Sequence, residues 1–260
     1  MSFPVIKASY KAEDLKIDPY EVLRYLGYKR ELVTQEDVAQ VEALLPKARA
    51  AIKPAVCWSR FEVELLPDNK IRFPYGTVHS ADLSRNLRGG AGFAFESVPA
   101  QAEEAVYDAK MPPSNTPDIS HAPQPASSSA PAPTPVHLAS PASPCFEVFI
   151  FAATIGIACD RLVQTARLSS MAEASFLNAI GAAAVEDVCD RLNDELRQFA
   201  ASEGKSVRPR YSPGYGDYDL ENQRGIFSLL EPAKHIGLTL KDNLIMVPEK
   251  SVTAVVGIVN

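Results

Sequence analysis

The chain is expected to fold as an α+β domain on an antiparallel sheet, and three observations predict it. Strand-like and helix-like segments do not alternate in a βαβ rhythm, which argues against a doubly wound parallel sheet. Pro67-Asp68-Asn69 is a turn signal between two strand-like segments, which reads as a hairpin. The last two strand-like segments, 244–247 and 251–259, follow one another with no helix between them.

Each element has its own local reason. Asp18-Pro19-Tyr20-Glu21 supplies an N-cap acceptor, Pro at the first helical position and an acid in the first turn, and Gly27 stops that short helix. Thr34 and Asp37 mark a second start, after which Val38, Val41, Leu45, Ala48 and Ile52 recur at helical spacing until Pro54. Residues 55–66 are rich in β-branched and aromatic side chains and read as a strand, with 70–73 as its hairpin partner. Residues 145–154 read as a strand and 155–168 as a helix. A long helix follows over 171–202, with Leu177, Ile180, Ala184, Val188, Leu192, Leu196 and Phe199 in one stripe and Gly204 as its stop. Gly181 and its alanine neighbours thin this helix, so another backbone can approach it closely. Residues 207–211 are strand-like and 220–230 helical.

One stretch stands apart. Pro, Ala and Ser dominate residues 90–144, and such a composition buries too little apolar surface to offset its ordering entropy. It is expected to be disordered, either as a linker between two domains or as an insertion in one.

Composition narrows the function. The 260 residues include 22% charged and 46% hydrophobic side chains, an ordinary globular balance, with a net charge of −6 and no Lys/Arg cluster. Nucleic acid is therefore not expected as a partner, since phosphate neutralisation needs a basic face. The most apolar run, 146–159, is too short to span a bilayer and carries Glu147, so no membrane association is expected and the location is expected to be cytoplasmic. Cys57, Cys145, Cys159 and Cys189 lie far apart without a C-x-x-C pair and read as reduced, buried thiols.

Few motifs carry chemistry. His79, His121, His137 and His235 lack metal-ligand spacing. Gly89-Gly90-Ala91-Gly92 precedes no helix and lacks the Lys-Ser/Thr of a phosphate loop, and no nucleophile elbow is present. Asp187, Asp190 and Asp194 share a face of the long helix and read as a solvated face. What remains is 208–217. Pro213-Gly214 signals a type II turn, which delivers Arg210 from a strand into a sharp bend with Tyr215 just beyond. Such a turn can offer backbone groups, a guanidinium and an aromatic ring to one small ligand, and a guanidinium suits a carboxylate. It can equally be an ordinary strand-end turn with a surface arginine.

Arg210-x-x-x-Gly214-Tyr215 resembles the ligand motif of the reactivation (activation) domain of cobalamin-dependent methionine synthase. Ile226-Phe227-Ser228-Leu229-Leu230-Glu231, then Lys234-His235-Ile236-Gly237-Leu238-Thr239-Leu240, then Met246-x-Pro248-x-Lys250-Ser251-Val252 follow in that family's order. The long helix with Ala184-Val185-Glu186 sits where that family has its own, and Ala152-Ala153-Thr154-Ile155-Gly156 and Ile17-Asp18 with Glu21-Val22-Leu23-Arg24-Tyr25-Leu26-Gly27-Tyr28 are similar to stand-alone forms of the module. In those forms a pattern like the one ending at Gly89 runs almost directly into Cys145-Phe146-Glu147-Val148.

The resemblance implies a single domain over 1–260, a bent antiparallel sheet with flanking helices, and 90–144 as a disordered insertion within it. It implies that S-adenosylmethionine is held by Arg210 on its carboxylate, by backbone around Ser212 and Gly214, and by Tyr215 lining the pocket. Asp18 is either a further ligand contact or simply the helix cap, and Glu186 is either a further ligand candidate or a support for the fold or a docking surface. The implied activity is support for reductive methylation of cob(II)alamin, with an electron from a flavodoxin-like donor. The chain lacks an Asp-x-His-x-x-Gly signature, so the cobalamin would sit on a partner, a methionine synthase or related corrinoid methyltransferase without its own reactivation domain. The alternative is a non-catalytic docking or ligand-sensing subunit of such a complex.

Overall fold

Helix starts fall where local chemistry puts them. The structure is a computed structural model describing residues 3–89 and 146–260. After the edge strand β1 (Ile6–Ser9), the Asp18 carboxylate accepts from Tyr20 N at 2.9 Å and Pro19 opens helix α1 (Pro19–Tyr25). A capping box opens α2 (Gln35–Ala51): Asp37 N donates to Thr34 Oγ1 at 3.2 Å and Thr34 N to Asp37 Oδ2 at 2.9 Å.

The strand expected over 55–66 is two strands. β2 (Ala55–Glu62) belongs to the main sheet, whereas β3 (Glu64–Leu65) joins β4 (Lys70–Phe73) and β5 (Gly76–His79) in a small three-stranded sheet. Asp68 and Asn69 both take left-handed φ, near 58° and 57°, which suits the tight turn between β3 and β4. Ser80 caps α3 (Ala81–Arg88), and the chain resumes with β6 (Glu147–Thr154), α4 (Ile157–Arg167) and the 32-residue α5 (Met171–Ser202). β7 (Ser206–Val207), α6 (Asn222–Leu230), α7 (Pro232–Ile236), β8 (Thr239–Leu240), β9 (Met246–Val247) and β10 (Ser251–Val259) complete it.

The main sheet has the order β1-β2-β6-β10-β7, with every neighbouring pair antiparallel. It is a curled half-barrel with flanking helices, the α+β architecture expected. β6 lies at its centre, Ala152 standing between Cys57 and Thr253. Both faces are covered, which is why β6 reads as an unbroken apolar run and not as an alternation. Phe149, Phe151, Ala153, Val56, Ala254 and Val256 pack beneath residues of α1, α2, α4 and α5. Val148, Ile150, Ala152, Cys57 and Val255 pack with Leu83 and Leu87 of α3, Ile226 and Leu230 of α6, and Ile71, Phe73 and Val78 of the small sheet.

α5 carries the expected stripe, with Leu177, Ile180, Ala184, Val188, Leu192 and Leu196 buried and Phe199 at the exposed end. At Gly181 the close neighbours are side chains and not another backbone: an added Cβ would lie 3.1 Å from Cys159 Sγ and 3.3 Å from Lys250 Cγ. Cys57, Cys159 and Cys189 are buried free thiols, and burial pushes Cys57 up to about 12 and Cys159 to about 11. Among the described residues no helix is long and apolar enough to cross a membrane. The expectations for 90–144, for Cys145 and for His121 and His137 lie outside the described residues.

Candidate functional site

The segment carrying Arg210 is laid along β10. Arg208 N donates to Gly257 O at 2.8 Å, and Tyr211 exchanges two backbone bonds with Val255, at 2.8 and 2.9 Å. The strand expected over 207–211 is therefore a two-residue strand and one bridge, interrupted at Pro209, which has no N–H to give the ladder. Asn86 Nδ2 of α3 donates to the Pro209 carbonyl at 3.4 Å.

The bend that follows is the expected type II turn. Tyr215 N donates to Ser212 O at 3.3 Å, and Gly214 has φ near +93°, the value its third position demands. Gly214 N then donates to Tyr218 O at 2.7 Å, closing the loop on itself. Gly216 is also left-handed, and a Cβ there would collide with Asp82 Oδ2 and the Tyr211 hydroxyl. Asp217 fastens the loop to the start of α3. Its carboxylate accepts from Ser80 Oγ at 2.5 Å, Ala81 N at 2.6 Å and Asp82 N at 3.1 Å. Partial burial works against that charge, but the hydroxyl and the two amides hold its pKa below the usual carboxylate value. Beneath the loop, Tyr218 is fully buried, its ring 6.2 Å from that of Tyr211 and its hydroxyl 3.1 Å from that of Tyr75.

Arg210 is mostly covered, with 19% of its side chain exposed, and is held by one face of α5. Nη2 lies 2.5 Å from Glu186 Oε2, and Nη1 lies 2.6 Å from Asp190 Oδ1. Burial opposes the guanidinium charge, and its surroundings, these two carboxylates among them, outweigh that and raise its pKa. Asp190 is thus not part of a merely solvated face, as its helical spacing with Asp187 and Asp194 suggests. It is a partner of Arg210, as is Glu186. The i, i+4 acid pair on α5 is the one trace of this in the sequence, and nothing in the spacing says which cation it meets.

The Asp18 segment comes to the same stretch of α5. Lys16 N donates to Asp187 Oδ2 at 2.9 Å, and α1 packs on α5. Burial first, and then the Glu186 charge, push the Tyr25 hydroxyl of α1 up to about 12. Asp18 itself is exposed and caps α1. Ser212 is half-buried with its carbonyl engaged in the turn, Gly214 is exposed, and Tyr215 is 41% exposed with its carbonyl accepting from the Tyr211 hydroxyl at 3.4 Å.

Arg210 set beside Glu186 and Asp190 complements a zwitterion: a cation for a carboxylate, and carboxylates for an ammonium group. A separate cleft of about 540 Å³ is floored by Phe61, Val63, Phe73 and Leu229, and none of the five candidate residues lines it. Among the described residues no group of three or more His, Cys, Asp or Glu is placed to hold a metal ion.

No family model matches the chain, and no curated protein matches it in sequence. Among solved structures it is similar to the MetH reactivation domain bound to AdoHcy, with a TM-score of 0.60 at 16% identity, over 98% of this chain and 78% of that one. At that identity the likeness is one of fold.

Proposed function

We propose that this chain is an S-adenosylmethionine-binding reactivation subunit, supporting reductive methylation of cob(II)alamin on a separate methionine synthase or related corrinoid methyltransferase. The observation that carries the proposal is the Arg210-to-Tyr215 turn, with Arg210 paired to Glu186 and Asp190, on the fold of a reactivation domain. The donor set fits the amino-acid end of S-adenosylmethionine. Arg210 takes the carboxylate, Glu186 and Asp190 lie beside it for the ammonium group, backbone at Ser212 and Gly214 and the Tyr215 ring complete the turn, and Asp18 adds a carboxylate from α1.

S-adenosylmethionine would supply a methyl group activated by its sulfonium, for transfer to a partner's cob(II)alamin reduced by one electron from a flavodoxin-like donor, with S-adenosylhomocysteine as the leaving group. Such a transfer asks no proton of this chain. Its residues bind and orient the donor, which is how a positioning protein contributes to rate.

The alternative is a docking or ligand-sensing subunit, and the engagement of Arg210 by the protein's own carboxylates favours it, since that pairing would also stabilise a turn with no ligand. Reconstitution separates the two. Mixed with a corrinoid methyltransferase in the cob(II)alamin form, an electron source and S-adenosylmethionine, the chain should restore the methylated cofactor, followed by absorbance. Omitting the chain, the donor or S-adenosylmethionine should each stop recovery. Recovery that proceeds equally well without the chain leaves the docking subunit as the better reading.

A further inference from the structure

Tyr75 ties the Arg210-to-Tyr215 turn to a distant hairpin. It sits between β4 and β5, half-buried, its ring stacked on Phe73 with centroids 5.1 Å apart and planes within 10°. Its hydroxyl lies 3.1 Å from that of Tyr218, 143 positions along the chain. Tyr218 is the foot of the turn: its carbonyl accepts from Gly214 N at 2.7 Å, and its N donates to Tyr215 O at 2.9 Å. Tyr218 is fully buried, and a buried hydroxyl needs a protein partner, which Tyr75 supplies. Burial pushes the Tyr75 hydroxyl up to about 12 and that of Tyr218 well above its usual value. Both therefore keep their protons at neutral pH, and one donates to the other.

The Tyr75 ring also lies against α6. An added Cβ at Gly225 would overlap three atoms of that ring. A glycine inside a helix is unfavourable by itself, and this close approach gives Gly225 its reason. We infer that Tyr75 is a positioning residue for the S-adenosylmethionine site: seated in the slot at Gly225, it holds Tyr218 and, through Tyr218, the Gly214–Tyr215 segment of the turn. The inference rests on the reading of this turn as an S-adenosylmethionine site. Arg210 has separate support, from Glu186 and Asp190 on α5. Loss of the Tyr75 hydroxyl should therefore act on the contribution that Tyr215 makes to binding.

A double-mutant cycle on the full chain tests it, by titration calorimetry with S-adenosylmethionine well below every variant's melting temperature. Tyr75→Phe keeps the ring in its slot and leaves the Tyr218 hydroxyl buried without a partner. Its affinity should fall about three- to tenfold against wild type. In a Tyr215→Ala background the same change should alter affinity by less than about twofold, because the group that Tyr75 positions is gone. Gly225→Ala displaces the ring while favouring the helix, and it should repeat the pattern: a loss with Tyr215 present and little change without it. If Tyr75→Phe lowers the melting temperature and leaves affinity unchanged, Tyr75 only stabilises the fold, and the inference is overturned. An equal loss in both backgrounds overturns it as well, since Tyr75 would then not act through the turn. If wild type does not bind S-adenosylmethionine, the site reading itself fails, and that outcome is distinct from the other two.

Discussion

Asp217 makes the clearest single-residue case for how the turn is held. It does two jobs at once, capping α3 and fixing the loop that presents Gly214 and Tyr215. Asp217→Ala is expected to cost about 1 kcal/mol, near the middle of the range for a lost cap, because the carboxylate is exposed and solvent screens it. Its folded pKa is depressed, so its contribution is present above the usual carboxylate pKa and is lost as the pH falls through the folded value. Thermal melts of wild type and variant should therefore differ at pH 7 and converge in strong acid. A constant difference at every pH would assign the effect to packing. Gly216→Ala is expected to destabilise by more than about 1 kcal/mol, through left-handed strain and the collision with Asp82 and Tyr211. The type II turn was legible because Pro-Gly encodes it locally. Asp217's role was not, because the amides it caps lie far away in the sequence at Ala81 and Asp82.

At the scale of elements, caps and periodicity were readable and three of the short edge strands were not. The Thr34–Asp37 box and the α5 stripe announce themselves because their partners lie within one or two helical turns. β1, β5 and β8 are two to four residues long and mostly exposed, so they show no alternation to detect. The strand over 55–66 divides after Val63, whose N still extends the β2–β6 pairing to Phe146 O, because Glu64 and Leu65 pair instead with Arg72 and Ile71 of β4. Two variants test the helical account. Thr34→Ala should lower stability by about 1 kcal/mol. Leu192→Ala, at a fully buried position under the sheet, should cost about 2–5 kcal/mol in urea unfolding. A Leu192→Ala cost no larger than that of Thr34→Ala would mean α5 is not seated on the core as described.

For the whole molecule, the question is whether 1–260 is one domain with 90–144 inserted in it, as we propose. Arg88 Nη2 donates to Leu66 O at 2.6 Å, and Val63 N to Phe146 O at 2.9 Å. Val63 and Leu66 are three residues apart in a nearly extended segment, so the Phe146 backbone and the Arg88 guanidinium meet it at points about 10 Å apart. Replacing 90–144 with a short Gly/Ser linker should leave a single cooperative melt, since loop length alone changes closure entropy by only about 0.6 kcal/mol per doubling. Loss of cooperativity would count against the single-domain reading. The site shows the same division between near and far. Arg210, Ser212, Gly214 and Tyr215 fall in one contiguous motif, whereas Glu186 and Asp190 reach Arg210 only because α5 packs beside that strand. The central claim is that this arrangement binds S-adenosylmethionine through Arg210, and isothermal titration of wild type against Arg210→Ala measures it most directly. The account predicts binding to wild type and a loss of about tenfold or more in the variant, the scale of a charge-assisted pair worth about 1.5–3 kcal/mol. Equal affinity in the two proteins, or no binding to wild type, would contradict it.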